Sequence, residues 1–184
     1  MPHQIVTIPC LADNYAFLIH DPASGDLDPA VPGYLAPAAG LAPTEIDRAL
    51  YAESGLLALC GDSDMRAIEQ RIAAGDARAR LALDVFCHRA RRHVGALAAT
   101  LGRLDALVFT GGIGEHRAAV RAGICRGLEV LGVELDAARN EQPGTLPARI
   151  EAGASRVAVP VVATDEALQI ARETAALLGG SAAG

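Results

Sequence analysis

The densest run of chemistry-bearing residues is Thr110-Gly111-Gly112-Ile113-Gly114-Glu115-His116. Adjacent glycines let a ligand approach the backbone closely. If a helix follows, its first N–H groups lack intrahelical acceptors and face outward, which suits phosphate. The run is neither a Walker A motif, since it has no lysine, nor a G-x-G-x-x-G fingerprint. A tight strand-to-helix turn with no ligand explains the same spacing. Glu166, in Ala163-Thr164-Asp165-Glu166, follows a second apolar run and opens a helical pattern. A carboxylate there can hold Mg²⁺ together with phosphate oxygens, or simply complement the helix dipole. Other polar candidates pair poorly. His88 and His93 are five apart and do not share a helix face. His3 and His20 have no neighbour at metal-ligand spacing.

The elements around these residues follow from pattern. Gln4–Ile8 and Tyr15–His20 read as short strands about a turn, and residues 21–43, rich in Pro, Gly and Ala, read as a loop. Thr44 is expected to cap a helix to Ala52, and Ser63 and Asp64 to cap one from Met65 to Ala74. A long helix is expected from Asp76 to Leu101, with Leu83, Phe86, Ala90, Val94, Leu97 and Leu101 as its core stripe. Arg89, Arg91 and Arg92 lie mostly off that stripe and read as a solvated face. Leu104–Thr110 reads as a buried parallel strand. Arg117–Leu131 reads as a helix and Gly132–Leu135 as a short strand. Residues 136–155 read as irregular. Val157–Ala163 reads as a second buried strand, with Pro160 suggesting an edge or a local irregularity, and Asp165–Leu178 as a closing helix. Strands alternating with helices argue for an α/β fold with parallel pairing.

Composition narrows the function. The 184 residues carry a net charge of -6, with 51% apolar and 3% aromatic residues. An acidic, aromatic-poor chain is expected to bind neither nucleic acid nor an anionic membrane. Every cation is an arginine, the first being Arg48, so amine-nucleophile and P-loop-lysine mechanisms are excluded. The start has no basic stretch before an apolar core, so no secretory signal is expected. Cys10, Cys60, Cys87 and Cys125 are scattered without a C-x-x-C and read as reduced, mostly buried thiols of a cytoplasmic protein.

Five stretches resemble the C-terminal portion of acetate kinase, in family order: SGDLDPA (24–30), ESGLLALCGDSDMR (53–66), FTGGIGEH (109–116), LEVLGVELD (128–136) and ATDEALQIARET (163–174). The resemblance implies a partial ribonuclease-H-like, actin-like ATPase lobe of the acetate and sugar kinase superfamily. It implies transfer of the γ-phosphoryl of ATP to a small carboxylate with Mg²⁺, and a possible homodimer. Carried over by position, Asp64, Met65 and Arg66 resemble the adenosine-contacting segment. Gly111, Gly112, Ile113, Gly114 and Glu115 resemble a nucleotide-binding loop, and Glu166 the magnesium-associated glutamate. His116 stands where the family usually has Asn, and Ala23 where it carries a catalytic Arg.

Residues 1–26 resemble instead the N-terminus of hydroxyacylglutathione hydrolase, or glyoxalase II, as a β-hairpin fragment. On this reading the chain is a fusion with a seam near Ser24–Asp26, and residues 27–184 form a truncated nucleotide-binding lobe. The histidine-rich metal motif of that hydrolase family is absent from the sequence, which leaves thioester hydrolysis a remote alternative. The expected activity is acetate-kinase-type phosphoryl transfer by family, with little or no turnover by this chain alone. A catalytically silent nucleotide-binding or dimerisation module, or a nonfunctional fragment, is the alternative.

Overall fold

Asp64, read as a cap from sequence, and Asp76, read there as the first residue of the long helix, both cap helices. Asp64 accepts a bond from the Arg66 N–H and opens α4, Met65–Ala73. Asp76 accepts from the N–H groups of Arg78 and Ala79 and opens α5, Ala77–Leu101. A carboxylate at this position satisfies donors that the helix cannot. The computed structural model describes residues 30–165 and 169–175. The expected hairpin, the seam, Ala23 and Glu166 lie outside the described residues.

Three helices precede α4. Residues Ala30–Ala39 form α1, where a loop was expected, with Pro37 inside it. The second, α2, runs Pro43–Ala52. Its cap is Ala42 rather than Thr44: Pro43 occupies the first turn, and the Glu45 carboxylate reaches back to the Ala42 N–H at 2.7 Å. The third, α3, is Gly55–Cys60, closed by Gly61 at φ 78°. It is a single short turn that carries no periodic signal.

The Arg71 guanidinium bonds the Asp76 carboxylate at 2.6 and 2.9 Å and holds it below the usual carboxylate range, aided by the Ala79 N–H. A depressed folded-state pKa contributes stability that is present above the unfolded value of about 3.9 and lost as pH falls through the lower folded value. Asp76→Asn should therefore melt at lower urea than wild type at pH 7. That gap should stay constant down to about pH 5 and shrink below about pH 4. A gap unchanged at pH 3 contradicts the pairing.

The α5 helix is the spine of the core and packs against α3, α4 and α7. Its buried side chains are Ala79, Ala82, Leu83, Cys87, Val94 and Ala98. Leu83 and Val94 match expectation. Leu97 does not, being 38% exposed. Small residues join Leu83 and Val94 in the seam because they let neighbouring helices approach closely, and Phe86 and Ala90 are partly buried against the same core.

The two apolar runs pair in parallel, as expected. The Ala158 N–H donates to Asp105 O, Leu107 N–H to Ala158 O, Phe109 N–H to Pro160 O and Val162 N–H to Phe109 O, all at 2.8–3.0 Å. This register calls for a fifth bond, from residue 160 to Leu107 O, and Pro160 has no N–H to give. The pairing therefore survives as bridges at Ala106–Ala158 and Phe109–Val161 instead of continuous strands. Leu107, Phe109, Val157, Val159 and Val161 are all buried.

The regular two-stranded ladder is antiparallel: β1, Ala148–Arg149, against β2, Pro160–Val161. The helix expected over Arg117–Leu131 is interrupted. Residues Ala118–Cys125 form α7, Gly127 at φ 89° turns the chain, and Glu129–Leu131 make one 3₁₀ turn. The expected strand Gly132–Leu135 reduces to a bridge between Leu135 and Glu151. Asp136 caps α8, Ala137–Glu141, inside a stretch read as irregular.

Arg91 corrects the reading of a solvated arginine face. Its guanidinium crosses to α7 and donates to Gly123 O at 2.6 Å and Ile124 O at 3.2 Å. Carbonyls in the last turn of a helix lack intrahelical donors, and Arg91 supplies them from α5. Cys60, Cys87 and Cys125 are buried. Burial pushes the Cys125 thiol up to about 12, so it is not a nucleophile at neutral pH.

Candidate functional site

The glycine run, read from sequence as a connection between strand and helix, is itself a helical turn. Thr110 is extended, Gly111 reverses the chain at φ 72°, and Gly111–His116 form α6. The glycines differ in what they do. A Cβ on Gly114 would sit 3.2 Å from the carbonyl carbon of Phe109, so this glycine lets the turn lie flat on the end of the apolar run. Gly111 is required by its left-handed backbone. Gly112 has neither reason: its φ is not positive and a Cβ there would meet nothing within 4 Å. It is exposed, and its missing side chain leaves the backbone of the first turn open. Beside it, Thr110 Oγ1 is buried without a hydrogen-bond partner, although Thr110 occupies the cap position.

The turn is tied to three parts of the chain. The Glu115 carboxylate accepts from the Thr164 N–H at 3.0 Å and the Thr164 hydroxyl at 3.1 Å. Thr164 stands two residues before Glu166 in sequence, so the two acidic segments singled out from sequence are joined at this point. Arg117, just after α6, pairs with Glu69 of α4 at 3.0 Å. The same guanidinium contributes to the lowered pKa of Asp64, whose main cause is the bond from the Arg66 N–H. Arg121 of α7 reaches under the turn and donates to the carbonyls of Gly114 and Glu115.

The Arg117–Glu69 pair thus links α4, the helix that Asp64 caps, to the residue that follows the glycine turn. Asp64 and Arg66 are exposed, while Met65 is 4% exposed and packs in the core. Ile113 packs against the same core. His116 is exposed at the end of α6. Among the described residues, no group of three or more His, Cys, Asp or Glu forms a ready metal cage, and no helix is long and apolar enough to cross a membrane. Arg121 and its partner Asn140 were not singled out in the sequence. An arginine on a helix reads as solvated, and Asn140 lies 19 residues away.

The Acetokinase family model matches residues 16–172. This chain belongs to the acetokinase family. An acetate kinase of Streptomyces griseus subsp. griseus is 49% identical over 162 residues, covering 88% of this chain and 39% of that protein. An acetate kinase of Syntrophobacter fumaroxidans is 48% identical over 157 residues, covering 85% and 38%. Among solved structures, the acetate kinase of Porphyromonas gingivalis superposes with a TM-score of 0.76 at 36% identity, covering 91% of this chain and 41% of that one. The propionate kinase of Francisella tularensis subsp. tularensis SCHU S4 gives 0.75 at 38% identity, covering 88% and 40%. The α/β fold is that of these acetokinase-family enzymes, and the chain spans about two-fifths of their length. The family match begins at residue 16, inside the segment read as a glyoxalase II fragment. The fusion, with its boundary at residue 26, finds no support.

Proposed function

We propose that this acetokinase-family chain supplies the nucleotide-binding part of an acetate-kinase-type phosphotransferase, which converts ATP and acetate to ADP and acetyl phosphate. The observation that carries the reading is Gly112: an exposed glycine at the start of a helical turn, required by neither backbone nor packing. It leaves room for a phosphate to approach the first N–H groups of α6. The orphaned Thr110 hydroxyl beside it fits a polar ligand. Asp64 and Arg66 face the adenosine, Gly111–Glu115 the phosphates, and Glu166 holds Mg²⁺. The ion neutralises phosphate charge when bound. The bonds from Thr164 to Glu115 fix the segment leading to Glu166 against the turn.

The 184-residue chain is proposed to bind nucleotide without turning it over. Phosphoryl transfer depends on cations that neutralise the moving group, and Ala23 stands at the expected arginine. Calorimetry with MgATP, run beside an assay of ADP release in the presence of acetate, tests both halves. Saturable binding with no ADP release is expected. Robust turnover contradicts the silent reading, and no binding contradicts the nucleotide reading. Light scattering on the same sample tests the proposed homodimer.

A further inference from the structure

Arg121 is 1% exposed, and all its acceptors are neutral. Its Nε donates to Asn140 Oδ1 at 2.8 Å and its Nη2 to the Asn140 carbonyl. Its Nη1 donates to Gly114 O at 2.8 Å and Glu115 O at 3.0 Å. Asn140 is itself held, its amide donating to Ala118 O at 3.0 Å. Burial lowers the Arg121 pKa, with the Glu141 carboxylate acting in the opposite direction. A buried cation whose bonded acceptors are all neutral is a poor way to fill a core, since apolar side chains of similar volume do so without desolvating a charge. What a guanidinium adds is a planar fork that fixes several acceptors at once. Here it fixes the last carbonyls of the glycine turn against the Asn140 carbonyl and amide of α8.

We infer that Arg121 is the positioning residue of the nucleotide turn: through Gly114 O and Glu115 O it sets the backbone that the ligand meets. The inference rests on the nucleotide reading above. It also places Arg121 upstream of the Glu115–Thr164 contact, because the residue whose carbonyl Arg121 holds is the one whose carboxylate holds Thr164.

The test uses the 184-residue chain with Arg121→Lys, which keeps the charge but replaces the fork with one compact ammonium. MgATP affinity should fall on the order of tenfold or more. Amides of residues 114–117 should exchange faster, with α5 protection unchanged. Val94→Ala, a buried α5 site that makes no bond to the turn, is the control: it should lower the melting temperature and leave affinity alone. Wild-type affinity in Arg121→Lys overturns the inference, as does an equal affinity loss in Val94→Ala at equal melting temperature. If Arg121→Lys does not fold, Asn140→Ala removes the far end of the clamp and is read the same way, with a smaller loss expected and wild-type affinity overturning the inference. A wild-type chain that binds no MgATP sinks the nucleotide reading and this inference with it. Normal wild-type binding with a normal Arg121→Lys sinks this inference alone.

Discussion

Gly123→Val should cost about 3 kcal/mol and lower the melting temperature by roughly 6–12 °C. Gly123 lies where α7 crosses α5. A Cβ there would sit 2.6 Å from Cys87 Sγ and 3.2 Å from Cys87 Cβ, both buried and unable to swing into solvent. The crossing is fixed from both sides: Arg91 of α5 holds Gly123 O and Ile124 O, and Cys87 Sγ lies 3.7 Å from Val120 O. Neither helix can retreat without breaking those bonds. A branched side chain therefore meets a wall, whereas an ordinary glycine replacement inside a helix is stabilising by up to about 1 kcal/mol. The collision with Cys87 is the specific cause, so Cys87→Ala should recover much of the loss in the milder Gly123→Ala background. Thermal melts of the four proteins decide it. A Gly123→Val chain melting within about 2 °C of wild type contradicts the packing described here.

Gly112→Asp should weaken MgATP binding about a hundredfold or more, equivalent to about 2.7 kcal/mol, while leaving the fold at least as stable. The site has room for a side chain and no positive φ to strain it. An acid in the first turn of a helix is mildly favourable, by about 0.3–1 kcal/mol. If triphosphate sits against that turn, the same carboxylate faces like charge. Stability and binding then move in opposite directions, which a merely structural glycine cannot produce. Gly95 supplies the control, since a Cβ there also meets nothing within 4 Å but it lies in α5. Gly95→Asp should leave binding unchanged. Equal affinity in Gly112→Asp and wild type would remove the turn from the site.

Local chemistry was legible where one residue decides the outcome. Asp64 was legible as a cap because a carboxylate one step before a helix finds free donors regardless of what surrounds it; Asp76, read as the first helical residue, caps for the same reason. The paired apolar runs were legible because burial on both faces demands continuous hydrophobicity. The interruption by Pro160 was visible too, although only the register shows that it removes the bond to Leu107 O. The α5 stripe was legible at Leu83, Phe86, Ala90 and Val94, whereas the buried alanines at 79, 82 and 98 carry little hydrophobic signal and were missed. The α1 helix was hidden by Pro32, Gly33 and Pro37, residues that ordinarily break helices, and α3 by its six-residue length. In the site, glycines announced themselves. Arg121 and Asn140 did not, because a buried arginine bonded to carbonyls has the same sequence appearance as one in water. Its role depends on α8 packing against α7, which no local pattern encodes.

The central claim is that the Gly111–Glu115 turn and the Asp64–Arg66 segment form one nucleotide site. Amide hydrogen exchange of the chain with and without MgATP tests it most directly. Slowed exchange concentrated in residues 111–116 and 64–66, with α2 and residues 148–152 unchanged, is the predicted result. Binding that protects neither segment, or protects only one of them, contradicts it.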